Sequence, residues 1–227
     1  MDVPAADHSG HRARLRERLL GLGGDALLDH ELIEYLLGLA TPRRDTKPLA
    51  NTLLKEFGGL GGLLTADPVE LARVPGMGET SVAAIKVVQA AAVRLARVAV
   101  QDRPVLANWQ GLLDYLRSDM AHHRTERIRV LHLNTRNQLI RDEVVSEGSI
   151  DEAALHIREV IKRAMDLGSA AIILVHNHPT GDPSPSRADI ELTRNVAEAG
   201  RRLGIAVHDH IVIGTKGHAS LRAMGLI

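Results

Sequence analysis

Ala170-Ala171-Ile172-Ile173-Leu174-Val175-His176-Asn177-His178-Pro179 joins an unbroken apolar run to two histidines spaced i, i+2. The run is short, rich in branched residues and preceded by Gly168, which reads as a strand buried on both faces. Alternate residues of a strand share a face, so His176 and His178 at its end can turn their rings toward one point. A loop with Gly181, Pro183 and Pro185 turns the chain back, and Ser186 and Asp189 open the next helix. Two imidazoles and a carboxylate are three protein ligands for zinc, one short of a closed tetrahedron. Structural zinc sites are closed, whereas hydrolytic ones keep a position for water. The pattern therefore predicts Zn2+ held by His176, His178 and Asp189. Ser186 and Asp189 also have the spacing of a capping box, with Asp in place of Glu. The two readings of Ser186 are compatible, because a hydroxyl at a helix start can also face the metal.

The rest of the composition narrows the class. Lys plus Arg and Asp plus Glu are equal at 28 each, so no global basic field advertises nucleic-acid binding. Any such contact must be local. Cysteine is absent, which excludes disulfides, thiolate metal sites and the zinc deaminases with cysteine ligands. Aromatics are only 2%, so Leu, Ile, Val and Ala must build the core. No apolar run is long enough to cross a membrane and no signal peptide is visible, so a cytoplasmic protein is expected.

Working outward from the strand, Asp151 to Leu167 reads as an amphipathic helix with Ile157, Val160, Ile161 and Ala164 on one face. Ile190 to Leu203 is a further helix, and Ala206 to Ile213 a final strand. Upstream, Gly111 to Met120 is a helix, and Arg127 to Leu133 and Leu139 to Val145 are strands around a hairpin at Asn134-Thr135-Arg136-Asn137. Alternating strands and helices imply an α/β domain with a mixed sheet over 109–227. Residues 12–98 are almost wholly helical, with a flexible segment expected at 1–11 and a linker at 99–108 around Pro104. In the helical part, Asp29 is a candidate cap. Gly58-Gly59-Leu60-Gly61-Gly62 lacks the Gly-Lys-Ser/Thr ending of a phosphate loop and reads as a turn between helices.

Hydrolysis needs a group that takes a proton from water and delivers it to the leaving atom. Glu126, Glu143, Glu147 and Glu159 are the candidate carboxylates. Glu126 begins the first strand of the α/β domain and shares a face with Ile128 and Val130. His208 and His210 are again spaced i, i+2. They offer either a second metal site or, as favoured here, one surface histidine and one that stands behind the ligands, with His210 donating to a ligand carboxylate. Asp209 points to the opposite face of that strand. His122 and His123 are expected at the surface.

His-x-His-x7-Ser-x2-Asp, met by His176, His178, Ser186 and Asp189, is the JAMM signature, and residues from about 105 to 227 resemble the RadC branch of the JAB/MPN metallohydrolases. His176-Asn177-His178-Pro179, Gly181-Asp182-Pro183 and Asp209-His210 are further marks of that branch. The resemblance implies a mixed, curved sheet with flanking helices, an architecture like that of cytidine deaminases. In the superfamily a Glu opens the first strand, which selects Glu126 as the general acid–base. By the same resemblance Ser186 stabilises the tetrahedral intermediate. The best-known members with this signature cleave isopeptide bonds of ubiquitin-like proteins, so a protein or peptide substrate is implied.

Leu71-Ala72-Arg73-Val74-Pro75-Gly76-Met77-Gly78, leading into Glu79 to Val93, resembles a helix-hairpin-helix motif, and residues 12–98 as a whole resemble the helical domain fused to RadC proteins. Gly76 and Gly78 permit positive φ and close backbone approach. Their N–H groups, with Ser81 and Lys86, would face a DNA phosphate across residues 71–94. Such a contact positions a backbone and reads no sequence. Three readings follow: a zinc hydrolase of an amide or isopeptide bond, a DNA-associated repair factor or nucleic-acid hydrolase, and a binding module whose metal is structural. The His-His-Asp set with a candidate Glu favours the first.

Overall fold

The structure is a computed structural model that describes residues 8–42, 44–101, 104–148 and 156–227. The chain divides into two compact units, Met1–Ala91 and Ala92–Ile227. The division falls inside one continuous helix, ahead of the expected linker.

In the first unit the helices are α1 (His8–Leu22), α2 (Asp29–Ala40), α3 (Lys47–Glu56), α4 (Leu60–Thr65), α5 (Pro68–Arg73) and the start of α6 (Glu79–Gln101). Residues 8–11 are thus helical, while 1–7 lie outside the described residues. Asp29 is the first residue of α2 rather than its cap. Glu31 Oε2 instead accepts from Leu28 N–H at 3.0 Å, and Glu31 Oε1 pairs with Arg18 at 2.7 Å. The Arg18 hydrogen bond, with that from Leu28, lowers the Glu31 carboxyl to about 2. Gly58 and Gly59 adopt positive φ and turn the chain between α3 and α4, as expected for that glycine cluster. Asp67 caps α5 by accepting from Val69 N–H at 2.7 Å. Ile33, Leu37, Leu53, Leu63, Leu71 and Ile85 form the centre of a core of their own.

The second unit holds α7 (Trp109–Met120), β1 (Glu126–Leu133), β2 (Leu139–Gly148), α8 (Ile157–Asp166), β3 (Ala171–Asn177), α9 (Arg187–Arg202), β4 (Ala206–Gly214) and β5 (Gly217–Ser220). The expected start of α8 at Asp151 lies outside the described residues. The sheet order is β2-β1-β3-β4-β5, with β3 and β4 parallel and every other pairing antiparallel. The mixed sheet is as expected. β5, four residues with no apolar alternation, was not expected.

The sheet has an apolar core on each face. Leu131, Leu133, Ile173, Val175, Ile211 and Ile213 pack on Leu112, Leu113 and Leu116 of α7. Val130, Ile172, Leu174 and Val207 pack on Val160, Ile161 and Ala164 of α8 and on Val196 of α9. All seven residues of β3 are buried, which is why its apolar run shows no alternation. Ile172, Ile173, Leu174 and Val175 each gain about 1.5–3 kcal/mol from burial, enough together to hold a polar strand end in place.

One polar cluster interrupts the α7 face. Asp142 accepts from Arg129 Nε at 2.9 Å and from Arg129 Nη2 at 2.7 Å. Tyr115 donates its phenol proton to Asp142 at 2.5 Å and accepts from Arg129 at 2.9 Å. Asp119 also pairs with Arg129. Arg97, 3.6 Å from Asp142, supplies the second positive charge, so the cluster ties α7 to β1 and β2 with two guanidinium groups facing two carboxylates, the condition under which buried ions are tolerated. Burial, reinforced by Asp142, pushes the Tyr115 phenol up to about 12. The folded value lies above the unfolded value of about 10, so the contribution of the neutral phenol is complete below pH 10 and is lost as pH rises toward 12. Tyr115→Phe should lower stability by about 1–3 kcal/mol at pH 8. In urea titrations the gap between wild type and variant should shrink above pH 10, and a gap independent of pH would refute the assignment.

Candidate metal centre

β3 delivers His176 and His178 to the end of the sheet, and three local devices aim them. His178 N–H donates to the Ile213 carbonyl at 2.8 Å, extending the alignment with β4 one residue past the strand. The turn that follows is closed by Gly181 N–H to the His178 carbonyl at 2.9 Å. Gly181 has φ +82°, and a side chain there would meet Thr215 Oγ1 at 2.3 Å, so a larger residue cannot occupy it without moving the loop. The loop then presents the Asp182 carbonyl to His178 Nδ1 at 2.8 Å. A carbonyl only accepts, so Nδ1 carries the proton and neutral His178 offers the Nε2 lone pair to the site.

The start of α9 supplies the carboxylate. Ser186 caps the helix: its Oγ accepts from Asp189 N–H at 3.2 Å, and Asp189 Oδ2 accepts from Ser186 N–H at 2.7 Å. This is the capping box, and it fixes the Asp189 rotamer. Asp189 Oδ1 lies 3.4 Å from His176 Nε2, and Oδ2 lies 3.8 Å from His178 Nε2. The two Nε2 atoms are 2.9 Å apart. One ligand atom from each of the three residues falls within 4.8 Å of the others, and no other such group occurs among the described residues. Two imidazole nitrogens and a carboxylate oxygen this close repel unless a cation joins them, so the donor set fits zinc.

The charges in the site respond to this crowding. Burial pushes the His176 ring down to about 4. The nearby Asp189 carboxylate raises His178. Burial works to raise Asp189, yet the neighbouring His178, the charge of His176 and the hydrogen bond from Ser186 hold it below the ordinary carboxylate range.

Glu126 approaches from β1. Ile128 stands opposite His176 in the antiparallel ladder, so two residues further along both strands Glu126 lies across from His178. Burial raises its carboxyl, and it feels the charges of His178 and Asp189. The competing carboxylates are otherwise engaged. Glu143 pairs with Arg163 at 2.5 Å, Glu147 with Arg127 at 2.6 Å and Glu159 with Arg158 at 3.2 Å.

Two further residues of the centre were missed by the sequence reading. Asn177, between the two histidines, points to the opposite face and is fully buried. Its Oδ1 accepts from Arg127 N–H at 2.9 Å, and its Nδ2 donates to the Thr125 carbonyl at 3.0 Å. It therefore grips the chain on both sides of Glu126. A buried Asn in an apolar strand was the signal, since such an amide must find partners. Thr193, one helical turn beyond Asp189, donates to the Asp189 carbonyl and contacts His210 Nδ1 at 2.6 Å.

The expectation for His210 needs correction. It contacts the imidazole of a ligand, His176 Nδ1 at 2.8 Å, rather than a ligand carboxylate. His208 does not join it, because a register shift after Ile172 breaks the alternation of β4 there, and His208 Nε2 turns to Asn137 Oδ1 at 2.7 Å. Asp209 accepts from Ser220 Oγ and, at 3.0 Å, from Arg222 N–H, which ties down the segment after β4. His122 and His123, expected at the surface, are partly buried, and burial lowers both.

In the first unit, Gly76 takes φ +99° in the turn between α5 and α6. Lys86 does not extend from it, because its ammonium donates to the Leu64 and Ala66 carbonyls at 3.0 and 2.7 Å. Ser81 is buried with its hydroxyl unpartnered. Both side chains thus face the interior rather than a phosphate. Gly78 accepts at its carbonyl from Ser81 and Val82 N–H and begins α6. The Arg44 guanidinium, which the sequence reading did not single out, donates to the Gly76 carbonyl at 3.0 Å.

Among known proteins, the profile of the RadC-like JAB domain matches residues 106–226, and that of the UPF0758 N-terminal domain matches residues 8–83. A UPF0758 protein of Rhodobacter capsulatus is 51% identical over 213 residues, which cover 94% of this chain and 100% of that protein. With the RadC-like domain spanning more than half of the sequence and the relative aligned over nearly all of it, the chain belongs to the RadC-like JAB domain family.

Proposed function

We propose that the protein is a zinc-dependent hydrolase of JAMM type that cleaves an amide or isopeptide bond in a protein or peptide. The observation that carries this reading is the convergence of His176 Nε2, His178 Nε2 and Asp189 Oδ1 beside Glu126, the carboxylate that stands across from His178. Zinc on three protein ligands makes water nucleophilic near neutral pH, where free water is not. Glu126, with its affinity for protons raised by burial, takes a proton from the attacking water and passes it to the leaving nitrogen. Ser186 keeps its own hydroxyl proton while accepting from Asp189 N–H, so it can donate to the developing oxyanion. Asn177 holds the two peptide groups that flank Glu126 and so limits where the carboxylate can stand.

A second reading concerns the turn between α5 and α6. We propose that it contacts a DNA backbone through the amides of Gly76 and Gly78, with Arg44 in place of Lys86 as the cation. The reading fits a helical domain that brings the hydrolase to DNA.

Purified protein should carry about one zinc per chain by mass spectrometry, and His178→Ala should lose it. Glu126→Gln should keep the zinc and lose at least about 100-fold in turnover of an isopeptide library, the usual scale of a general acid–base. A folded chain that takes up no zinc when supplied with it would sink the hydrolase reading. Asn177→Ala should likewise keep zinc yet lose turnover, and undiminished turnover would remove Asn177 from the machinery. For the second reading, Arg44→Glu should abolish any gel retardation of a short duplex at low salt, and retardation indifferent to that change would reject this surface.

A further inference from the structure

The hydrogen bonds behind His176 admit one arrangement of protons. Thr193 Oγ1 lies 2.5 Å from the Asp189 carbonyl oxygen and 2.6 Å from His210 Nδ1. The carbonyl can only accept, so the single hydroxyl proton goes to it. His210 Nδ1 must then supply the proton of the other contact. His210 is 1% exposed and its two ring nitrogens meet a hydroxyl and an imidazole, with no carboxylate bonded to either. A charged ring in that setting would be buried without a counter-ion, so the imidazole is neutral and its Nε2 holds the lone pair. His176 Nδ1, 2.8 Å away, must donate to it. His176 is left with its own lone pair on Nε2, the atom that faces His178 and Asp189.

An imidazole free in water prefers its proton on Nε2, the tautomer that would close this nitrogen to a metal. We propose that Thr193 is a positioning residue for the centre. Its hydroxyl sets the direction of the chain from His176 through His210 to the Asp189 carbonyl, and so holds His176 in the metal-accepting tautomer before any metal arrives. The chain ends on the backbone of the third ligand, so the same bonds join the strand that carries two ligands to the helix that carries the other. The purpose of this device rests on the zinc-hydrolase reading, whereas the proton arrangement does not.

Nitrogen-15 spectra of the histidine rings in metal-free protein test it directly. Both His176 and His210 should carry their proton on Nδ1. Thr193→Val keeps the shape and removes the hydroxyl. It should release the fixed pattern in both rings and weaken zinc binding, read against a chromophoric chelator, by about 10–100-fold. Thr193→Ser should restore both. A wild-type His176 protonated on Nε2 overturns the proposal, as does a Thr193→Val protein with unchanged ring spectra and zinc affinity. Because Thr193 is buried, the wild-type spectrum decides the proton arrangement even if the valine variant folds poorly. Expected tautomers in a chain that binds no zinc would keep the arrangement and remove the hydrolase reading instead.

Discussion

The antiparallel pairing of β1 with β3 is the constraint on which the centre depends. β3 carries His176 and His178, β1 carries Glu126, and the ladder between these strands sets Glu126 across from His178. A slip of one residue would turn Glu126 to the α7 face, away from the histidines. The register is held from both sides. Apolar residues of β3 are buried in two separate cores, so neither face tolerates the exchange that a slip would impose. Asn177 adds a lock at the end of the ladder, where pairing is weakest, by bonding to the backbone that flanks Glu126.

Features written in local spacing were legible in the sequence. The buried strand, the i, i+2 histidines, the cap at Ser186 and the carboxylate at Asp189 all lie within 20 residues of one another. Each rests on the period of a strand or the first turn of a helix, which the sequence states directly. What was not legible depends on partners far away in sequence. Asn177 bonds to residues some fifty positions upstream. Lys86 looked like a phosphate ligand, but its partners are carbonyls about twenty positions back. Without the family resemblance, Glu126 could be told from Glu143 and Glu147 only once Arg163 and Arg127 were seen to occupy the others. The spacing of His208 and His210 left a second metal pair open beside the favoured reading, because the sequence does not show the bulge in β4 that cancels their alternation. The division inside α6 was hidden because one helix continues through it, leaving no change of pattern to mark the place.

The two faces of the sheet use polarity in opposite ways. On the α7 face, Arg129 and Arg97 meet Asp142 and Asp119 as full charges, and Arg129 binds α7 to the strands. On the α9 face, the group behind His176 is a neutral imidazole, itself backed by a hydroxyl. A carboxylate at the position of His210 would also accept from His176 Nδ1, and it would favour a positively charged His176 as well. A proton would then compete with a metal for Nε2. A neutral acceptor fixes the tautomer without stabilising that cation, and burial of the ring to 1% exposure disfavours it further. The anionic charge at this centre is thereby confined to Asp189 and Glu126, the two carboxylates on the open side of the ligands. In the proposed hydrolase, a site so arranged would bind the cation through one carboxylate and two neutral rings and keep a second carboxylate for proton transfer, which is the division of labour that hydrolysis of an amide requires.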